Sequence, residues 1–167
     1  MSLFDVYKSD VVVNNQQKFI DQLLEFHNRT SYRTDNFHEY NIFTEVTTNE
    51  MYDLYANVKA IIRNQLPANR LWIQAWVNVH KQNECLDWHY HTFDRHGYIS
   101  IDPKNTTTEF AHWKVNNEVG NIYFGPGGEL HKHKVNVNEA YDDYRITIGF
   151  DVQTSATQSV NKFIPIL

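Results

Sequence analysis

The feature that most constrains this chain is a change of hydrophobic period at Pro67: before it apolar residues recur at helical spacing, and after it they alternate. Met51, Leu54, Tyr55, Val58, Ile61, Ile62 and Leu66 line one helical face. Thr47-Thr48-Asn49-Glu50 stands ahead of them with capping-box spacing, and Pro67 ends the pattern. A second helix is expected over residues 15–28, where Asn14-Asn15 precede Phe19, Ile20, Leu23, Leu24 and Phe26. From residue 70, Leu71, Ile73, Ala75, Val77 and Val79 alternate with Trp72, Gln74, Trp76, Asn78 and His80. Both faces carry large side chains, so this strand is expected at the centre of a sheet.

Shorter strands are expected at 88–91, 97–101, 110–115, 121–124, 133–137 and 145–152. Turn clusters separate them: Asp94-Arg95, Pro103-Lys104-Asn105, Asn116-Asn117, Gly125-Pro126-Gly127-Gly128 and residues 138–143. Two amphipathic helices followed by many short strands predict a mainly β fold, an antiparallel sandwich or jelly roll buttressed by the helices. A length of 167 residues fits one domain, with a helical part to about residue 68, a β core over 70–152 and a tail over 153–167. The apolar end of that tail is either a last strand on the sheet edge or a dimer contact, and the oligomeric state stays open.

Charge narrows the partners. Fifteen Lys and Arg against 20 Asp and Glu give a net charge of −5, and no basic block occurs, which argues against nucleic acid. The single cysteine, Cys85, makes no internal disulfide, and no apolar run approaches the ~20 residues that span a bilayer. The start, Met1-Ser2-Leu3-Phe4-Asp5, lacks the pattern of a secretory leader, so a cytoplasmic location away from membranes is expected.

Seven of the nine histidines fall between residues 80 and 133, which concentrates the candidate chemistry there. On a strand, His89 and His91 at i and i+2 share a face and reach one metal ion; His131 and His133 repeat the spacing some 40 residues later. Three imidazoles, or two and a carboxylate, suit a first-row transition ion and leave positions open. Zinc hydrolysis uses similar ligands, so the donor types do not choose the reaction. Tyr144-Arg145-Ile146-Thr147-Ile148-Gly149-Phe150 alternates strictly and sets Arg145, Thr147 and Gly149 on one face. There the Arg145 fork matches a carboxylate and the Thr147 hydroxyl adds a donor. Tyr141, Asp142 and Asp143 are competing partners for Arg145.

Six segments, in order, resemble the iron(II)- and 2-oxoglutarate-dependent oxygenases of bacteria and marine phages that are related to prolyl 4-hydroxylases. They are Ile73-Gln74-Ala75-Trp76-Val77-Asn78-Val79, Trp88-His89-Tyr90-His91 and Gly97-Tyr98-Ile99-Ser100-Ile101, then Gly120-Asn121-Ile122-Tyr123-Phe124-Gly125-Pro126, residues 130–138, and Arg145-Ile146-Thr147-Ile148-Gly149-Phe150. The resemblance covers residues 71–152 and not the N-terminal helices. It implies a double-stranded β-helix fold, with His89 and His91 in the proximal ligand motif and His133 as the distal ligand. His133 is preferred to His131 because His133, Val135 and Asn138 match the pattern His-x-Val-x-x-Asn. Arg145 and Thr147 would grip the distal carboxylate of 2-oxoglutarate, with Asn78 and Tyr98 touching the co-substrate. The implied cofactors are iron(II) and 2-oxoglutarate, with ascorbate stimulatory. Molecular oxygen and a small molecule or peptide, a peptidyl proline among them, are the expected partners, in the host cytoplasm if the protein is phage-encoded.

One departure matters: most of this superfamily carries His-x-Asp or His-x-Glu where this chain has His89-Tyr90-His91. Either three imidazoles bind the metal, or a carboxylate, Asp94 or Asp87, bends in as third ligand. Trp76, Trp88, Tyr90, Tyr98 and Trp113 are candidates for the pocket wall, and residues 30–41 for a lid or for packing. Two other functions share these residues. A three-histidine cupin enzyme working without 2-oxoglutarate leaves Arg145 idle, and a non-catalytic jelly-roll interaction module leaves both the histidines and Arg145 without chemistry.

Overall fold

The computed structural model describes residues 5–67, 70–154 and 162–166. The fold is mainly β, an open sandwich of two antiparallel sheets with helices on one side. Its elements in chain order are β1 (Asp5–Lys8), α1 (Asp10–Asn14), α2 (Gln16–Arg29), a 3-10 turn (Thr34–Glu39), α3 (Ile42–Glu45) and α4 (Asn49–Gln65). There follow β2 (Leu71–His80), β3 (Arg95–Asp102), β4 (Thr106–Phe110), β5 (Lys114–Asn116), β6 (Asn121–Pro126), β7 (His133–Val137), β8 (Arg145–Gln153) and β9 (Ile164–Ile166). The large sheet has the order β1-β6-β3-β8-β2-β9 and the small one β5-β4-β7.

Alternation divides the large sheet into two faces. Ile73, Ala75, Val77 and Val79 of β2, Ile99 and Ile101 of β3, and Ile146, Ile148, Phe150 and Val152 of β8 join a core with Phe19, Leu23 and Phe26 of α2 and Met51, Leu54, Val58 and Ile62 of α4. The opposite face carries the polar residues in register: His80 opposite Arg145, Asn78 opposite Thr147, Trp76 opposite Gly149, Gly149 opposite Tyr98, and Asp151 opposite His96. That face and the small sheet enclose the candidate site.

Several expectations need correction. Residues 88–91 do not form a strand; His89 alone bridges His133. The stretch 110–115 is two strands, β4 and β5, turned about residues 111–113. Gly125 and Pro126 extend β6 rather than opening a turn. The helical N-terminal part also supplies an edge strand, β1 paired with β6, and the Asn15 side chain makes no capping bond; Ser9 caps α1 instead. The end of the tail does pair, as β9 on residues 71–73, while residues 155–161 and 167 lie outside the described residues.

Strand β2 has a full-length neighbour only in β8. Beyond Ile73 its other edge faces the 34–41 segment, and side chains of both join the two. The Val77 amide donates to Tyr40 Oη at 2.8 Å, Asn41 Nδ2 donates to the Ile73 carbonyl, and Gln74 Nε2 donates to the carbonyls of Phe37 and Tyr40. An edge satisfied in this way is closed to pairing with another chain. Among the described residues, no helix is long and apolar enough to cross a membrane.

Candidate metal centre and anion pocket

One cavity of about 830 Å³ is lined by His89, His91, His96 and His133 together with Asn78, Tyr98, Arg145 and Thr147. Two backbone hydrogen bonds join its remote parts: the His89 amide donates to the His133 carbonyl at 3.0 Å and the His133 amide to the His89 carbonyl at 2.9 Å. These two residues, 44 apart in sequence, therefore place their rings with centroids 4.3 Å apart. The loop after His89 is held by the Gly128 amide, which donates to the His91 carbonyl at 2.7 Å, and the Gly127 amide, which donates to the Asp94 carbonyl at 3.1 Å. A Cβ on Gly127 would stand 2.0 Å from the Phe93 carbonyl oxygen, so this approach requires glycine.

One ligand atom from each of His89, His91 and His133 lies within 4.8 Å of the others, an arrangement able to hold a metal ion. Second-sphere bonds fix the tautomers. A carbonyl only accepts, so His89 Nδ1–H donates to the Asp87 carbonyl at 2.7 Å and His133 Nδ1–H to the His131 carbonyl at 3.3 Å, which leaves Nε2 of each with a lone pair. Burial pushes the His133 imidazole down to about 3, with His89 and His91 adding to the shift, and burial also lowers His89. Both are neutral at pH 7, the state a metal ligand needs.

The carboxylates proposed from the sequence lie outside the three-histidine group. Asp94 accepts from the Thr154 amide at 2.7 Å and from its hydroxyl at 2.9 Å, and the Asp87 side chain caps the Trp88 amide. His131 sits on a 3-10 turn and contributes its carbonyl alone. Of the pocket-wall candidates, Trp76, Tyr90 and Tyr98 line the cavity. Trp113 instead stacks on Phe110 in a small second core, and Trp88 lies on the surface beside Lys132 and Lys134.

At the other end of the cavity Arg145 is 4% exposed, and among the described residues no carboxylate lies within ion-pair distance of it. Asp143 is taken by Lys104 at 2.8 Å, and Tyr141 donates to the His80 carbonyl. Arg145 Nε donates to the Thr106 hydroxyl at 3.4 Å. Burial lowers its pKa, yet a guanidinium stays charged. Thr147 is prepared as a donor by a relay: Thr34 Oγ1 donates to Asn78 Oδ1 at 3.0 Å, and Asn78 Nδ2 donates to Thr147 Oγ1 at 3.2 Å. The Thr147 hydroxyl proton is thus left for the cavity. Thr34, Asp35 and Phe37 line this site, and Phe37 packs on the Trp76 ring of β2, tilted by 46° with centroids 4.7 Å apart. Tyr98 reaches the same end indirectly, through Asn117 to Thr106.

Sequence reasoning missed two residues at this centre. His96 is buried on β3, with its ring 4.6 Å from His91 and 4.9 Å from His133. Asp151, 1% exposed on β8, lies 2.7 Å from His91 Nδ1. The alternation that singled out Arg145, Thr147 and Gly149 reaches Asp151 when carried one step further. Comparison of the chain with protein-family models and with curated proteins finds no match.

Proposed function

We propose that this protein is an iron(II)- and 2-oxoglutarate-dependent dioxygenase that hydroxylates an organic substrate. The observation that carries this reading is a buried guanidinium, with no carboxylate in ion-pair distance among the described residues, sharing one cavity with three converging imidazoles. Three imidazole donors suit a first-row divalent ion, and a buried cation that no carboxylate pairs among the described residues suits an anionic co-substrate. The two ends are framed by one strand: His133 pairs with Phe110 at one end of β4, and Arg145 reaches Thr106 at the other, four residues along. The two sheets around a cavity are compatible with a double-stranded β-helix.

In this reading His89, His91 and His133 hold the metal. Arg145 binds the far carboxylate through its fork, and Thr147 donates to the same group. Asn78 holds Thr147 in place, while Tyr98 and Trp76 wall the diacid from water. Bound iron(II) supplies oxygen activation coupled to decarboxylation of 2-oxoglutarate to succinate and to hydroxylation of a substrate C–H bond. Calorimetry under nitrogen tests the reading without knowledge of the substrate. Binding of 2-oxoglutarate should require manganese(II) or iron(II) and disappear in Arg145→Ala, and succinate release with iron(II) and ascorbate should be lost in His133→Ala. Metal binding without any 2-oxoglutarate binding would leave the three-histidine cupin alternative, which the third imidazole in place of a carboxylate favours.

A further inference from the structure

The candidate centre gathers three imidazoles and no carboxylate. Asp151 supplies one from outside the ligand set. It is buried on β8, its Oδ1 has no hydrogen-bond partner beyond the His91 contact at 2.7 Å, and among the described residues no lysine or arginine pairs with it. A buried carboxylate without a counter-charge is unfavourable unless a cation lies close by. His91 is also fixed in plane, stacked on His96 at 4.6 Å and 5° and on Trp76 at 5.8 Å and 22°. Its loop backbone is tied to Gly128. These contacts present Nδ1 to Asp151 and leave Nε2 for the ion.

We propose, resting on the reading of His89, His91 and His133 as a metal centre, that Asp151 is the positioning residue of this centre. It accepts the Nδ1–H of His91, fixes that ring's tautomer and angle, and lends its charge to the ion through the imidazole. The carboxylate that most of the superfamily carries beside its first histidine is thereby replaced, one sphere out, by a residue from a different strand. The Gly149 and Asp151 positions of β8 then have separate tasks: glycine leaves room for the Trp76 indole, whose atoms a Cβ would meet at 2.7 Å, and aspartate aligns His91.

The test is cobalt(II) binding to the full chain, read by calorimetry and by the visible absorption bands of the bound ion. Asp151→Asn should weaken binding roughly 10- to 100-fold and shift the bands. In a His91→Ala background the same substitution should change nothing further. Unaltered affinity and bands in Asp151→Asn, or an equal loss in both backgrounds, would overturn the inference. Should the asparagine variant fail to fold, nitrogen-15 NMR of zinc-loaded wild-type protein decides: a His91 Nδ1–H with Nε2 on the metal is expected, and the reverse tautomer overturns it. Wild-type protein that binds no cobalt(II) overturns the metal centre and this inference together, whereas intact wild-type binding with an unaffected Asp151→Asn sinks Asp151 alone.

Discussion

Arg145 separates a residue kept for the fold from one kept for a ligand. A buried charge without a partner costs stability, and replacing it by an apolar side chain of similar volume is often neutral or favourable. Arg145→Leu should therefore leave the urea midpoint unchanged or raised, with a loss no larger than about 1 kcal/mol, while calorimetric binding of 2-oxoglutarate vanishes. A loss of several kcal/mol would mean that Arg145 is structural, held by Thr106 and the Asn117 network. Gly149 makes the opposite case. Its missing side chain is filled by Trp76, so Gly149→Ala should destabilise by about 1–3 kcal/mol through overpacking, measured by urea unfolding followed by tryptophan fluorescence. Wild-type stability in that variant would mean that the indole moves aside without cost.

At the scale of elements, local patterns carried much of the architecture. The Thr47–Glu50 spacing marked the start of α4, but the cap is one residue later: Thr48 Oγ1 accepts from the Met51 amide at 3.3 Å, and Glu50 pairs with Lys18 instead of closing a box. Thr48→Ala should cost about 1 kcal/mol in thermal or urea unfolding, and no loss would mean that packing of Leu54, Val58 and Ile62 alone holds the helix. Alternation marked β2, β3 and β8 because one face of each meets a continuous apolar core. What stayed hidden depends on distant partners. The four residues of β1 are a strand because β6 is there, and the edge of β2 is closed by Tyr40 and Asn41 rather than by a strand. His89 and His91 came together with His133, though not by the strand geometry that suggested it. A single bridge and two glycine amides do that work, and neither has a periodic trace in the sequence. His96 and Asp151 were legible in principle, because each lies on the inward side of an alternating strand beside a residue already chosen.

The molecule as a whole gathers buried imidazoles in its cavity, and this sets how its stability responds to acid. His80 shows the sign most simply, because it is not a candidate ligand. Burial lowers its pKa to about 4, with the Arg145 charge adding to the shift, against 6.5 for the exposed group. The groups facing it include Thr34, 2.8 Å from Nε2, and Glu84, whose charge acts weakly the other way. Between these two values the unfolded chain binds a proton that the folded chain refuses, so the contribution is fully present above pH 6.5 and is lost as pH falls towards 4. The two values give a loss of about 2 kcal/mol at pH 5 from this residue. His96 and His133, also held down by burial, act in the same direction. Urea unfolding at pH 7.5 and pH 5 should therefore show a marked drop for the wild-type chain and a drop smaller by about 2 kcal/mol for His80→Gln. Equal drops in the two proteins would mean that His80 takes up its proton as readily in the folded chain as in the unfolded one, and would place a second positive charge beside Arg145 at pH 5 but not at pH 7.5.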